Sequence, residues 1–158
     1  VSDILSVSER SALMAKIGGK NTAPEMTIRR LLFSRGLRYQ LHRKDLPGRP
    51  DLTFPRFNAV LFVHGCFWHA HGNGCYLSKR PATNIDFWDT KLNQNRERDK
   101  NVKEESLLKG WRVCTIWECS IRDAKPEQLE ELAETIHSWL RSENTEFETS
   151  PKRKEKKK

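Results

Sequence analysis

Asp51-Leu52-Thr53-Phe54-Pro55-Arg56-Phe57-Asn58-Ala59-Val60-Leu61-Phe62-Val63-His64 decides the fold. Asp51 to Phe54 and Asn58 to His64 read as two strands joined at Pro55-Arg56, because a proline and a polar break separate two runs rich in branched and aromatic residues. The second run is apolar on both faces. A strand of that kind belongs inside a sheet that helices cover on both sides, which favours an α/β layering over a sandwich.

Upstream, Leu37, Tyr39 and Leu41 alternate with Arg38, Gln40 and His42, the period of a half-buried strand, and Leu46-Pro47-Gly48-Arg49-Pro50 ends it. Thr22, Pro24 and Glu25 start a helix that carries Ile28, Leu31, Leu32 and Arg35 at helical spacing and stops at Gly36. Ser6 and Glu9 form a capping box for an earlier helix over Val7 to Ile17, closed by Gly18-Gly19. Downstream, Gly65 to Thr83 has no period and reads as a long loop, which in a small domain is usually functional or stapled by a metal. Asp86 to Lys109 is helical in composition, with Trp88, Leu92, Asn95, Asp99 and Val102 along one face that is polar in its middle. Trp111 to Trp117 reads as another buried strand. Pro126 opens a last helix with Leu129, Leu132, Ala133, Ile136 and Leu140 facing the core. The expected order is therefore helix, helix, three strands, helix, strand, helix.

Across 158 residues, 36% are hydrophobic and the mean hydropathy is −0.77, enough for one modest core but not for two large domains. The expected division is one domain over residues 1–145 and a basic, disordered tail over residues 146–158. The longest apolar run, Ala59 to Val63, is far short of the roughly 20 residues of a spanning helix. Val1-Ser2-Asp3-Ile4-Leu5 lacks the basic start and apolar stretch of a secretory signal, so a cytoplasmic, reducing location with free thiols is expected. The formal net charge is +8, of which Pro151 to Lys158, with six Lys or Arg and one Glu, carries +5. A mildly basic body with a basic end fits a phosphate-rich partner, since each cation that meets a phosphate releases counterions; the plainer account of the tail is a solvated end.

Two sets of residues carry chemistry. Cys66, His71 and Cys75 lie close together in the long loop, and Cys119 follows the Trp111 to Trp117 strand. Three thiolates and one imidazole suit tetrahedral zinc, and a shell filled by protein marks a structural site that would tie the loop to the sheet. His69 could take the place of His71, whereas Cys114, inside a buried strand, behaves as a small hydrophobe. The second set begins with Asp51, which a simple hairpin register brings beside Val63 and His64. A carboxylate next to an exposed main-chain carbonyl can hold Mg2+, and His64 or His69 could then take a proton from an attacking water. Asn95 and Asp99 on the polar helix face would complete the cleft. Phe67-Trp68 and Phe87-Trp88 are large rings on polar ground, suited either to covering the metal loop or to wedging between base pairs and opening a duplex where pairing is defective.

Leu46-Pro47-Gly48-Arg49-Pro50-Asp51, Phe62-Val63-His64-Gly65-Cys66-Phe67-Trp68-His69, Asn95-Arg96-Glu97-Arg98-Asp99, Gly110-Trp111-Arg112-Val113 and Trp117-Glu118-Cys119 together closely resemble the very short patch repair (Vsr) endonucleases, from about Ser8 to Arg141. The resemblance implies a restriction-endonuclease-like fold, with a central mixed sheet flanked by helices and a zinc-stapled loop. It implies a Mg2+-dependent nickase that cuts one strand 5′ to the thymine of a T·G mismatch, the product of 5-methylcytosine deamination. Carried over by position, Asp51 and the carbonyl of Val63 hold magnesium, His69 acts as base, and His64, Asp99 and Glu25 support the site. Cys66, His71, Cys75 and Cys119 hold zinc. Phe67, Trp68 and Trp88 enter from the major-groove side, Met14 and Ile17 from the minor-groove side, and Asn95 joins the DNA-contacting set. The partner implied is mismatched duplex DNA, met by a monomer that hands the nick to repair proteins, in the nucleoid if the source is bacterial. In this chain the acid-x-Lys element of restriction-type nucleases is Phe62-Val63-His64, so histidine replaces the lysine. Two other functions fit the same residues: a zinc-stabilised module that binds distorted duplex without cutting, and a zinc hydrolase using His69 and His71 with an open coordination position.

Overall fold

The computed structural model describes residues 21–71 and 75–150. The expected first helix, with Met14 and Ile17, and the end of the tail from Pro151 lie outside them. The described chain runs α1 (Ala23–Ser34), β1 (Gln40–Leu41), β2 (Leu52–Phe54), β3 (Ala59–His64), α2 (Ile85–Leu108), β4 (Arg112–Trp117), α3 (Pro126–Arg141) and β5 (Glu146–Glu148), with single 3-10 turns at Pro55–Phe57 and Glu118–Ser120. No helix among these residues is long and apolar enough to cross a membrane.

The strands form one mixed sheet in the order β1-β2-β3-β4-β5, antiparallel from β1 to β3 and parallel from β3 to β5. A two-strand hairpin can turn within a few residues, which the Pro55–Phe57 turn does, with Asn58 closing it in the left-handed region at φ 52°. The parallel step from β3 to β4 needs a crossover, and α2 supplies it. Side chains alternate across the central strands. Ala59, Leu61, Cys114 and Ile116 face a core shared with Ile28 and Leu32 of α1 and Ala133, Ile136, Trp139 and Leu140 of α3. Val60, Phe62 and Val113 face the other way, against Val102 and Leu107 of α2. The sheet is thus covered on both sides, as a doubly apolar β3 requires, and the molecule is a mixed α/β domain.

Three sequence expectations change. The strand expected over Leu37 to His42 shrinks to Gln40–Leu41, and Leu41, expected to face the core beside Leu37, is 46% exposed. It lies at the sheet edge with only the three-residue β2 to pair with, and His42 at φ 46° turns the chain away from the ladder. The region read as tail from residue 146 begins instead with β5. Val113, Cys114 and Thr115 pair with Glu146, Phe147 and Glu148, so the domain extends past residue 145. The three-residue length of β5 hid it from a periodicity reading. Finally, α3 buries Trp139 as well as the expected Ala133, Ile136 and Leu140.

Candidate active site and metal centre

A cleft of about 930 Å³, open along one side, is lined by β1–β2 loop residues, the ends of β3 and β4, the loop after β3 and the middle of α2. Lys44, Arg49, Arg96, Arg98, Lys100 and Lys103 stand around it, while Asp51, His64, His69 and Asp99 lie inside. Cations round a rim with acids and imidazoles within is an arrangement for a polyanion that must also be attacked.

Pro50 sets up the floor. The β2–β3 register pairs Leu52 with Leu61, and continued outward it sets Pro50 opposite Val63. Proline has no N–H, so the ladder stops, and Asp51 takes up the free donor: Val63 N–H donates to Asp51 Oδ2 at 2.7 Å. In a strand a residue's N–H and C=O leave on the same side, so the Val63 carbonyl also points toward Asp51. The structure therefore brings Asp51 and Val63 together as expected, and Asp51 Oδ1 is left on the cleft side. Burial pushes the Asp51 carboxyl up to about 7; the Val63 N–H opposes this and the charge of Glu25 adds to it. A divalent cation would relieve that strain, which is what the donor set of Asp51 and a carbonyl fits.

His69 Nδ1–H donates to Asp99 Oδ2 at 2.6 Å, so Asp99, half-buried on α2, fixes the ring and leaves Nε2 as its other nitrogen. The His64 ring stacks on it face to face, with centroids 3.9 Å apart and planes at 3°. His64 Nδ1 is buried with no hydrogen-bond partner, and its imidazole is pushed down to about 3 by burial, then by His69, against the pull of Asp99. Burial thus favours the neutral form of His64. Asn95 departs from expectation: it is 6% exposed and donates Nδ2–H to the Trp68 carbonyl at 2.9 Å, so it braces the loop from behind instead of lining the cleft.

Glu25 reaches the same floor because Thr22 caps α1. Thr22 Oγ1 accepts Glu25 N–H at 3.4 Å and Glu25 Oε2 accepts Asn21 N–H at 2.5 Å, which turns the side chain inward at the helix start. There Glu25 meets His42, whose Nε2–H donates to Oε1 at 2.6 Å. Sequence reading assigned His42 only an outward place on a strand. The signal that could have found it was its position just before a break rich in proline and glycine, where strands end and loops carry function.

Cys66, His71, Cys75 and Cys119 come together beyond the ends of β3 and β4, their ligand atoms all within 4.8 Å of one another. Cys66 Sγ and Cys119 Sγ each lie 3.5 Å from His71 Nδ1, and Cys119 N–H donates to Cys66 Sγ at 3.3 Å. This settles the choice between the two loop histidines: His71 joins the thiols and His69 joins Asp99. None of the four cysteines is in a disulfide, and Cys114 stands apart in the core. Burial raises the Cys66 thiol; at Cys75 burial acts the same way but is outweighed by hydrogen bonding to Ser78 and Leu77, which leaves this thiol below its ordinary value. Burial also lowers the His71 imidazole. Three sulfurs and a neutral imidazole converging on one point fit a soft tetrahedral ion.

Phe67, Trp68 and Trp88 form a ring cluster, with centroids 5.2 to 5.9 Å apart, and Phe87, 61% exposed, continues it at 5.2 Å from Trp88. The loop and the start of α2 therefore present one aromatic edge, and none of these rings enters the main core.

A family model described as DNA mismatch endonuclease Vsr matches residues 2–76. The chain is 46% identical over 123 residues to "Type II nicking enzyme V.XorIIP" of Xanthomonas oryzae pv. oryzae, covering 78% of this chain and 89% of the relative. It is 38% identical over 140 residues to "DNA mismatch endonuclease Vsr" of Escherichia coli, covering 89% and 88%, and 39% identical over 125 residues to "Type II nicking enzyme V.NmeAIP" of Neisseria meningitidis, covering 78% and 86%. With several relatives above 30% identity matched over most of their length, the chain belongs to the Vsr family of DNA mismatch endonucleases.

Proposed function

We propose that this protein is a Mg2+-dependent nicking endonuclease that cuts one DNA strand 5′ to the thymine of a T·G mismatch, on a restriction-endonuclease-like fold stapled by zinc. The observation that carries the reading is the pairing, in one cation-rimmed cleft, of a pinned carboxylate with a pinned imidazole: Asp51 by Val63 N–H and His69 by Asp99. The names of the relatives, nicking enzymes and a mismatch endonuclease, support the same chemistry.

Asp51 Oδ1 and the Val63 carbonyl would hold magnesium, which when bound polarises the phosphate and stabilises charge on its oxygens. His69, oriented through Nδ1 by Asp99, accepts at Nε2 the proton of the water whose oxygen attacks phosphorus; as that bond forms, the bond from phosphorus to the departing sugar oxygen breaks, that oxygen takes a proton from solvent, and Asp99 stabilises the imidazolium that results. His64, neutral and stacked on His69, keeps that ring in plane and faces the same space. The cations of the rim bind and orient the phosphates on either side. Phe67, Trp68 and Trp88, the aromatic edge of the loop and of α2, would serve as a wedge, and unstacking is easiest where the pair is already defective, so a mismatch is favoured over paired duplex. Cys66, His71, Cys75 and Cys119 would hold zinc and fix the loop from which both the wedge and His69 project.

The test is a strand-resolved cleavage assay with Mg2+ on duplexes that differ only in one T·G, C·G or T·A pair, across several flanking sequences. A single cut 5′ to the mismatched thymine is expected, with none in paired controls, and Asp51→Ala should abolish the cut while leaving mismatch binding intact. Tight binding with no cut on any duplex, by folded and zinc-loaded protein, would overturn the nickase and leave a non-cleaving binding module.

A further inference from the structure

Glu25 is placed as though it should meet a cation in the cleft, yet its bonds point elsewhere. Its side chain is nearly fully buried, Oε2 accepts Asn21 N–H at 2.5 Å, and Oε1 accepts both Arg29 Nη2–H at 2.9 Å and His42 Nε2–H at 2.6 Å. A carboxylate has about four acceptor positions, and here three are taken by donors of the chain itself. Its charge is balanced by Arg29, one helical turn along and 8% exposed, in a pair that the core encloses. A group so saturated is built to hold something still.

What it holds is His42. This residue adopts a left-handed φ of 46°, a conformation that non-glycine residues keep only where surroundings enforce it. The turn takes the side chain off the edge of β1 and into the cleft. There Nε2 stands 3.9 Å from Asp51 Oδ1, the oxygen that Val63 N–H does not take. Asp51 is therefore bounded on both sides, by a backbone donor at Oδ2 and by the imidazole edge at Oδ1. Glu25, His42 and Asp51 bring their ligand atoms within 4.8 Å of one another, so the two carboxylates face each other directly, and the N–H that His42 gives to Glu25 offsets part of their repulsion.

We propose that His42 is a positioning residue for the Asp51 carboxylate, and that Glu25, balanced by Arg29, orients His42. The proposal rests on the nicking function above. His42 sets the direction of Asp51 Oδ1, and the Glu25–Arg29 pair sets the direction of His42. Supports of this kind around a metal-binding carboxylate usually change affinity or rate by about 10- to 100-fold.

The experiment compares wild type with His42→Ala, His42→Gln, Glu25→Gln and the double variant His42→Ala/Glu25→Gln. Nicking of a T·G duplex is measured as kcat and KM over a Mg2+ series, and Mn2+ binding by the free protein is followed by electron paramagnetic resonance. Thermal melting reports the fold of each variant. His42→Ala should lower kcat about 10- to 100-fold, raise the Mg2+ needed for half the maximal rate, weaken Mn2+ binding in the free protein, and leave KM for DNA unchanged. His42→Gln, whose amide can offer a donor to Glu25, should recover most of the loss. In the double variant the two losses should combine to less than their product, since the Glu25–His42 contact is shared. Wild-type rates and Mn2+ binding in His42→Ala, or a double variant that shows the product of the two single losses, would overturn the proposal. If His42→Ala melts early, His42→Gln decides: a folded glutamine variant that is as slow as the alanine variant also overturns it. Failure of the wild type itself to nick any duplex would instead strike the nickase reading.

Discussion

Among the described residues, a closed cysteine–histidine cluster and an open cleft of carboxylates and imidazoles lie at the same end of the central strands, and they are built differently. Cys66 and Cys119 follow the ends of β3 and β4 by two residues each, and with His71 and Cys75 they form a set whose donors all turn toward one another. Asp51, His64, His69 and Asp99 instead line an open cleft, with Asp51 held by the Val63 N–H, His69 by Asp99, and His64 stacked on His69 with no hydrogen-bond partner at Nδ1. The first is closed and can only hold; the second is open and can act. On the proposed function, the difference teaches why one short loop contains both: a rigid anchor would aim His69 and the aromatic edge, and such an anchor could not share donors with the chemistry.

The contrast breaks most visibly at the closed site. Cys119→Ser removes the one thiol of the set that comes from the end of β4, leaving only the stack of His71 on Trp117 and the Cys66 N–H to Glu118 to tie the loop there. Binding energies of structural zinc are about 10–16 kcal/mol, so this variant is expected to lose its metal, melt early and lose nicking together. Metal content after dialysis and a thermal melt check this. A variant that retained a full equivalent of zinc and the wild-type melt would show that the cluster is not an anchor.

His69→Ala tests the open site and should separate what Cys119→Ser joins. Loss of a general base costs about 10²- to 10⁴-fold in rate, here with zinc content and melting unchanged, because Asp99 is half-exposed and water can replace its partner. Single-turnover nicking at saturating protein reads the effect. A fall in melting temperature as large as that of Cys119→Ser would mean that the two clusters are one structural unit.

Much of this was legible in the sequence where residue type and period act locally. The doubly apolar Ala59 to Val63, the Thr22 cap, the crossover helix and the Cys66 to Cys119 set all appear as expected, because each is specified by side chains near in sequence or by a rare chemical type. What was not legible depends on partners far along the chain. β5 is three residues long and is a strand only because Val113 to Thr115 offer it an edge. Asn95 looked like a cleft residue by helical spacing, but the loop folds over it and takes its amide. His42 looked like an outward strand residue until the left-handed turn carried it to Glu25, seventeen positions earlier.

A smaller effect follows from the Asp51 carboxyl, whose value near 7 in the fold stands above the roughly 3.9 of an unfolded chain. The fold therefore binds this proton more tightly than the unfolded chain does. Below about pH 4 both states are protonated and nothing is lost; as pH rises from there to about 7 the fold loses stability, and above that the loss is complete. Asp51→Asn removes the charge, so the variant, with zinc but without magnesium, should be more stable than wild type by up to about 4 kcal/mol at about pH 8 and by little near pH 4. Paired denaturant melts across that range measure it. An Asn variant less stable at high pH would show that the fold, and not the reaction, needs the charge. Added Mg2+ should narrow the gap by stabilising wild type alone, since a ligand that binds the fold stabilises it.

The smallest expected effect lies on the wall between the two clusters. Trp117 is 7% exposed; one face stacks on His71 at 3.9 Å and 7°, while it stands edge-on to His64 at 5.2 Å and 79°. It is held from β5, where Glu148 Oε1 accepts its indole N–H at 2.6 Å and Thr149 Oγ1 accepts its backbone N–H at 2.9 Å. Glu148→Ala should cost about 1 kcal/mol, or about 2–4 °C of melting temperature, because the lost acceptor sits on an exposed edge where water can replace it. If Trp117 is a shared wall, that modest loosening reaches both clusters: zinc leaves faster to a chelator and nicking slows by less than about tenfold, with Glu148→Gln restoring both. Faster metal loss with an unchanged nicking rate would mean that the anchor can loosen without moving the histidines. The comparison would then sharpen to two sites that share a loop but are not coupled through Trp117.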